Sequence, residues 1–175
     1  FVVAFAEAYT RIVIYPSRSL TTISDPALLE QETRRSREIN MAATRQMIRQ
    51  KHRGHMVLLF PSGTRYREGN PDTKRGVKEV DSYIKAFDWM VCLGISGNVL
   101  RIDPDGDMSR DLAAKDTVIL SVSEIEKCHD FRNSGRAACP ADKDPKQHVS
   151  DLAMARLEVE HERAGKEREA RMESL

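Results

Sequence analysis

This chain has few cysteines and almost no excess of charge of one sign. The 175 residues include three cysteines, Cys92, Cys128 and Cys139, and the net charge is +1. No two cysteines form a CxxC pair, which argues against structural zinc and favours a reducing compartment, so we interpret all three as packing residues. A near-neutral total provides no global field for recruiting nucleic acid, and nucleic acid is not an expected partner.

Long apolar runs are also absent from the sequence. No stretch approaches the roughly eighteen consecutive apolar residues that a membrane-spanning helix needs. The chain begins at Phe1, inside the apolar run FVVAFAEAY and without a charged leader. We interpret it as an N-terminally truncated protein with a single domain over residues 1–175, because 40% hydrophobic residues are enough for one core.

Helix signals are clear between residues 24 and 54. Ser24 and Asp25 offer N-cap oxygens, Pro26 suits a first turn, and Gly54 suits the position after a helix end. These signals predict one long helix that ends near Lys51. Basic residues in its C-terminal half, including Arg45, Arg49 and Arg53, favour the negative end of the helix dipole, and a solvated helix end explains them without a ligand.

Apolar runs and helical patterns alternate through the middle of the chain. The runs Met56–Phe60, Trp89–Ile95 and Thr117–Val122 are predicted strands, and a helical pattern runs from Gly76 to Phe87. Because strands that alternate with helices are typical of parallel sheets, we predict an α/β fold with a mostly parallel sheet flanked by helices. Residues 145–175 are predicted to form a charged helical C-terminal extension, solvent-exposed from Glu158 onward.

The turn after Met56–Phe60 carries the densest set of anion-binding groups. Pro61 fixes the backbone, Gly63 permits a close approach, and Ser62 and Thr64 provide hydroxyls. Arg65 and Arg67 add guanidinium groups. Lys74 adds charge near the start of the predicted helix, whose N–H groups attract anions. The pattern indicates a phosphomonoester site, although a turn whose arginines pair with Glu68 and Asp72 fits the same spacing.

These residues resemble a known motif. Phe60 to Arg65, followed by Arg67, Gly69 and a Lys-Arg-Gly at 74–76, are similar to the FPEGTRSR block and downstream Lys-x-Gly of the glycerol-phosphate and lysophosphatidate acyltransferase family. The match covers roughly residues 57–77. Ser62 stands where most members have Glu, as it does in plastid-type members that read PSGGR. The resemblance implies transfer of a fatty acyl group from acyl-CoA or acyl carrier protein to glycerol 3-phosphate or its monoacyl product, in phospholipid biosynthesis.

The resemblance also implies residue roles. Arg65 would hold the acceptor phosphate, Ser62, Gly63 and Thr64 would form the loop, and Lys74 and Arg67 would add charge. The family's catalytic signature is H-x-x-x-x-D, and none of the five histidines has Asp at that spacing. We therefore expect the His–Asp pair upstream of Phe1 and the present chain to be inactive. No cofactor or metal is expected, and the implied location is cytoplasmic, at the inner face of an anionic membrane.

A function of another class fits the same sequence. An α/β module that binds a phosphate or a partner without catalysis would carry the same turn and would need no His–Asp pair. Other chemical signals are weak. Cys128, His129 and Asp130 are adjacent in sequence and are best explained as a surface segment, and His148 with Asp151 is typical of a surface contact.

Overall fold

The structure is a computed structural model that describes residues 9–15, 17–64, 66, 69–101, 103 and 110–173. Four α-helices lie in these ranges, together with short 3₁₀ turns at Ser17–Leu20 and Pro71–Lys74. In chain order the helices α1 to α4 are Pro26–His52, Val80–Ala86, Cys128–Ala137 and Pro145–Glu173.

The predicted caps of α1 are confirmed. The Asp25 carboxylate accepts hydrogen bonds from the N–H groups of Ala27 at 2.8 Å and Leu28 at 3.3 Å. Gly54 lies just beyond the helix with φ of +78°, a backbone conformation that glycine adopts without strain. The local signals around Pro26 and Gly54 therefore set both ends of the helix.

The described strands follow one another along two antiparallel chain segments. In chain order, β1 to β6 are Trp89–Met90, Leu93–Ser96, Leu100–Arg101, Leu112–Ala113, Ile119–Val122 and Glu126–Lys127. β1 pairs with β6, β2 with β5 and β3 with β4, each pair antiparallel. The chain runs outward through β1 to β3 and returns through β4 to β6, so these ladders form an interrupted two-stranded ribbon.

The predicted parallel α/β sheet is wrong, since every strand pair in the described ranges is antiparallel. A parallel pair needs a crossover connection, usually a helix, between its strands. The described residues between β2 and β5 contain only the short β3–β4 ladder, so β2 and β5 meet as a hairpin. A continuous apolar run indicates a strand without indicating its direction, which is why the pattern misled the prediction.

The predicted strand Met56–Phe60 is also absent from the described ladders. Its backbone makes no ladder with another described residue, and of this run only Leu59 packs against the core. The helical pattern predicted from Gly76 forms a helix only from Val80, where α2 begins. Lys74 instead lies in the 3₁₀ turn Pro71–Lys74, six residues before α2, so it does not flank a helix N-terminus as predicted.

The core lies between α2, α3 and the first half of α4. Its buried members are apolar or thiol side chains from these three helices, and they are Val80, Ile84, Cys128, Val149 and Ala153. Leu59, Val77, Phe87, Met90 and Phe131 pack around them. Cys92 and Cys128 are buried free thiols, which fits the packing role predicted for them.

Asp81 links α2 to α3 inside this core. The side chain is almost fully buried, and its two oxygens accept hydrogen bonds from the guanidinium groups of Arg132 and Arg136 at 2.8–3.3 Å. Burial by itself raises the pKa of Asp81, but the hydrogen bonds from Arg136 and Arg132 outweigh it and lower the pKa below the usual 3.8. The carboxylate therefore stays ionised and holds the two helices together.

The second half of α4 crosses the ribbon, with polar side chains between them. Buried Glu160 accepts a hydrogen bond from Ser121 of β5 at 2.5 Å and forms an ion pair with Arg163 at 2.6 Å. His161 Nδ1 lies 2.7 Å from the Ile95 carbonyl oxygen of β2. The backbones also approach closely, because a Cβ built on Gly94 would collide with the Glu160 carbonyl group.

A carboxylate fixes the far end of the same contact. Asp116 accepts hydrogen bonds from the N–H groups of Asn98 and Thr117 and from Arg168 of α4, at 2.6–2.8 Å. These bonds, the Asn98 N–H first, hold the pKa of Asp116 at about 2. The expectation of a solvent-exposed helix from Glu158 onward is therefore wrong for the side that faces the ribbon, where Glu160 and Ala164 are buried.

Candidate phosphate-binding turn

The predicted anion-binding turn is a compact loop in the structure. The Gly63 N–H donates to the Phe60 carbonyl at 3.0 Å, and Gly63 has φ of +62°. The Ser62 hydroxyl donates to the Thr64 carbonyl at 2.8 Å. Gly63 and Thr64 are exposed, so the turn presents its backbone and the Thr64 hydroxyl on the surface.

Hydrogen bonds anchor the turn to the helical core. The Val77 N–H donates to the Pro61 carbonyl at 2.9 Å, and Gln147 Nε2 of α4 donates to the Gly76 carbonyl at 2.9 Å. Gly76 is buried and lies so close to α4 that a Cβ there would press on Ser150 and Met154. The loop is therefore held against α4 through the segment 76–77.

Lys74 reaches the turn from the other side and already has a partner. Its ammonium group lies 2.6 Å from one oxygen of Glu158 and 2.7 Å from the other. It also lies 5.8 Å from the centre of the Tyr66 ring. Tyr66 lines an open depression together with Phe60, Gly63 and Thr64. The structure therefore brings Lys74 to the rim of the depression that contains the predicted loop residues.

Two predicted site residues, Arg65 and Arg67, lie outside the described residues, as does Glu68. The predicted pairing of these arginines with Glu68 and Asp72 therefore also involves residues outside the described ranges. Ser62, Gly63 and Thr64 form one turn, and Lys74 is connected to them through Tyr66.

A small cavity of about 90 Å³ lies on the inner side of the turn. Its walls are mostly apolar and include Ile14, Leu59, Val77 and Tyr83. Glu79 also lines it, with Oε2 buried and without a hydrogen-bond partner among the described residues. Burial, with Glu79 nearby, raises the pKa of Tyr83 to about 12. A carboxylate in an apolar cavity repels a phosphate, so of these two hollows the outer depression is the one that suits an anion.

Sequence reasoning missed three residues that shape the site: Tyr66, Glu79 and Glu158. Tyr66 lies within the recognised motif, and its aromatic ring beside basic residues was a usable signal. Glu79 faces the cavity only because of how α2 packs. Glu158 pairs with Lys74 across 84 residues of sequence, and no local pattern marks such a pair.

None of the histidines lines the cavity or the depression. His129 Nδ1 lies 3.1 Å from Asp130 Oδ1, and both side chains are mostly exposed. The neighbouring Cys128 is buried, and burial raises the pKa of its thiol. This trio is therefore a surface pair beside an inaccessible thiol, because the sulfur is enclosed in the core. The Gln147 side-chain amide donates a hydrogen bond to Asp151 Oδ1 at 2.7 Å.

Comparisons with known proteins identify no relative: no protein-family model, curated protein or solved structure matches the chain. Within the ranges that the structure describes, no helix combines the length and apolarity needed to cross a membrane. The same ranges hold no group of three or more His, Cys, Asp or Glu side chains arranged to bind a metal ion.

Proposed function

We propose that this chain carries the acceptor-binding part of a glycerolipid O-acyltransferase. The turn Pro61–Thr64 would bind the phosphate of glycerol 3-phosphate or a 1-acylglycerol 3-phosphate, and acyl-CoA or acyl carrier protein would donate the acyl group. The observation that carries the proposal is the exposed turn itself. It presents Gly63 and Thr64 in a depression that also has Lys74 on its rim.

The chemistry of this depression suits a phosphomonoester. The Thr64 hydroxyl and the glycine backbone allow close approach, and the Tyr66 ring provides an apolar wall for the glycerol carbons. Arg65 follows Thr64 directly in the sequence, and its guanidinium group can donate two parallel hydrogen bonds to phosphate oxygens. Arg67 and Lys74 add positive charge.

A bound phosphate would compete with Glu158 for Lys74. Its ammonium group is half-exposed and ion-paired with Glu158, so an incoming phosphate shares or displaces that carboxylate. Exposed ion pairs contribute about 0–1 kcal/mol, which a doubly charged phosphate can exceed. Glu158 is therefore expected to weaken, not prevent, anion binding.

The proposed reaction assigns binding and positioning to these residues. The acceptor hydroxyl would attack the thioester carbonyl, the new ester C–O bond would form, the C–S bond would break, and the hydroxyl proton would leave with the thiol. A His–Asp pair is the proton acceptor that the resemblance implies. Because no described histidine lines the turn, we assign no proton transfer to the described residues.

We further propose that the protein works in the cytoplasm, peripheral to an anionic membrane. Three exposed basic residues lie on α1 or directly after its end, namely Arg45, Arg49 and Arg53, and no ion pair joins them to another described residue. Each basic residue near an anionic surface contributes about 1 kcal/mol of attraction. The lipid substrate would then be taken from the surface on which the protein lies.

A non-catalytic phosphate-binding module is the second candidate. The observation that favours it is the lack of a described histidine beside the turn, together with antiparallel pairing in place of the predicted mostly parallel sheet. Both candidates use the same turn, so they differ in catalysis and not in binding.

Titration with glycerol 3-phosphate tests the shared part of the proposal. We expect Arg65→Ala to weaken binding at least about tenfold, since a hydrogen bond to a charged group is worth about 1.5–3 kcal/mol. Glu158→Gln should tighten binding, because it frees Lys74. Both effects are to be measured by calorimetry at low and at high salt.

Glu169→Gln is the matched control, since it removes the same charge from an exposed position about 16 Å along α4. Equal binding by the wild type and Arg65→Ala would contradict the site. Binding without transfer of labelled acyl groups from either thioester donor would support the module instead of the enzyme.

A further inference from the structure

The segment Met56–Phe60, here called the open segment, lies in no helix or turn and belongs to no described ladder. Its ends are fixed. The His55 N–H donates to the Gln50 carbonyl at 3.1 Å, and the Phe60 carbonyl accepts the Gly63 N–H at 3.0 Å. The segment therefore connects two hydrogen-bonded turns, one at the end of α1 and the other at the predicted anion-binding turn.

The backbone of the open segment is unpaired within the described ranges. None of its N–H groups donates to a described acceptor, and the carbonyls of residues 56–59 accept no described hydrogen bond. Backbone N–H and C=O groups are strong hydrogen-bonding groups that folded proteins nearly always satisfy. Among the described residues, no group pairs with them, so the segment offers unpaired backbone groups to another strand.

The side chains alternate as they do in a strand with one buried face. Val57 and Leu59 are half-buried, and Leu59 packs on the core. Met56, Leu58 and Phe60 point outward, with 97%, 69% and 68% of each residue exposed. Three apolar side chains in a row on one face are a large exposure for five residues, and such patches mark interaction sites.

We propose that the open segment binds an extended peptide strand of a partner protein, which adds to it by backbone hydrogen bonds. The row of free N–H and C=O groups decides this choice of partner. A lipid surface can cover Met56, Leu58 and Phe60 but offers no regular row of donors and acceptors, whereas a β-strand matches both the side chains and the backbone.

The charge around the open segment sets the chemistry of the partner strand. Arg53 and His55 are exposed at its start, and no described ion pair involves them. The sequence after its end adds Arg65 and Arg67. A second copy paired in parallel register would bring Arg53 beside Arg53, so that self-pairing is disfavoured. The partner strand is therefore apolar on alternate positions and acidic where it meets Arg53.

Amide hydrogen exchange and a labelled peptide test this proposal. The probe is a fluorescent peptide with the sequence Glu-Glu-Val-Thr-Val-Thr-Val-Glu, and its control carries N-methyl groups on alternate residues. We expect rapid exchange of the amides of residues 56–60 in the free protein. The probe should slow their exchange at least about tenfold, and the N-methylated control should bind at least about tenfold more weakly.

A charge exchange checks the acidic part of the proposal. Arg53→Glu should weaken binding of the acidic probe and strengthen binding of a probe in which Lys replaces Glu, whereas Arg34→Glu, distant along α1, should change neither. Slow amide exchange in the free protein, no binding of the probe, or equal binding of the N-methylated control would overturn the proposal. Binding to phosphatidylglycerol vesicles that leaves these amides exchanging rapidly would make the surface a lipid contact instead.

Discussion

The Asp81 carboxylate shows how a single charge can hold a core together. It is 1% exposed, and guanidinium groups from one helix, Arg132 and Arg136, enclose it. Those two side chains remain partly exposed, so their charges are less costly to desolvate than that of Asp81. The hydrogen bonds to Asp81 therefore fix α2 against α3 through a group that local sequence pattern does not mark as buried.

Asp81→Asn should lower the free energy of unfolding by about 3 kcal/mol at pH 7, because two guanidinium groups lose their anionic partner. Urea denaturation measures the loss. Asp130→Asn is the control, because that carboxylate is mostly exposed and contacts His129 on the surface. Its effect should stay within about 0.5 kcal/mol.

The pH dependence of this difference follows from the direction of the pKa shift. The pKa of Asp81 is lowered in the folded state, so its contribution is complete above the usual pKa of 3.8 and is lost as pH falls through the folded value. The wild type and Asp81→Asn should therefore converge in stability as the pH drops below about 4. A gap that persists unchanged in strong acid would show that the variant acts through packing instead of charge.

At the scale of elements, the contact between β2 and α4 depends on a missing side chain. Gly94 lies against the backbone of Glu160 and His161, and any Cβ there would force the helix away from the ribbon. Gly165, on the same helix, has only the Ser96 hydroxyl at 4.0 Å from a built Cβ. The close contact between ribbon and helix therefore requires a glycine at position 94, whereas position 165 has room for a side chain.

Gly94→Ala should destabilise the protein by about 1–3 kcal/mol through overpacking against a backbone that cannot rotate away. Gly165→Ala should instead stabilise it by up to about 1 kcal/mol, because alanine favours the helix and meets open space. The urea midpoints of the two variants measure both effects. Equal midpoints would show that the ribbon and α4 are not in close contact.

The sequence correctly predicted those elements whose ends are set by residues a few positions apart. Asp25, Pro26 and Gly54 gave the correct ends of α1, because a cap acts within a few residues. The runs at β2 and β5 were recognised as strands, but their antiparallel pairing depends on the connection between them and not on their apolarity. Likewise the turn at Pro61–Thr64 was visible in sequence, whereas the distant partner of Lys74 was not.

At the scale of the whole molecule, α4 contacts two different parts of the structure. Its first half contributes Val149 and Ala153 to the core with α2 and α3. Its second half contributes Glu160 and Ala164 to the contact with the ribbon. The charged sequence after Glu158 concealed this role, because Arg163 and Arg168 use their charges to bind ribbon carbonyls and carboxylates.

Ending the chain after Leu157 should destabilise the ribbon and leave the core of α2, α3 and the first half of α4 intact. We expect amides of β2 and β5 to lose protection from hydrogen exchange, because Glu160 and Ala164 no longer cover them, while α2 and α3 keep theirs through Val149 and Ala153. Mass spectrometry of exchanged peptides measures both. Ending the chain after Ala170 is the control and should leave both parts protected. Retained protection of the ribbon in the shorter protein would contradict the assigned role of α4.

The length of α4 has a mechanical consequence. At 29 residues it is a rod about 43 Å long, clamped by the ribbon at one end and the core at the other. Glu158, near the middle of α4, forms an ion pair with Lys74 beside the turn. A force that tilts the ribbon would therefore pivot the rod and pull on Lys74, so that a pull on the distant hairpin is transmitted to the rim of the depression.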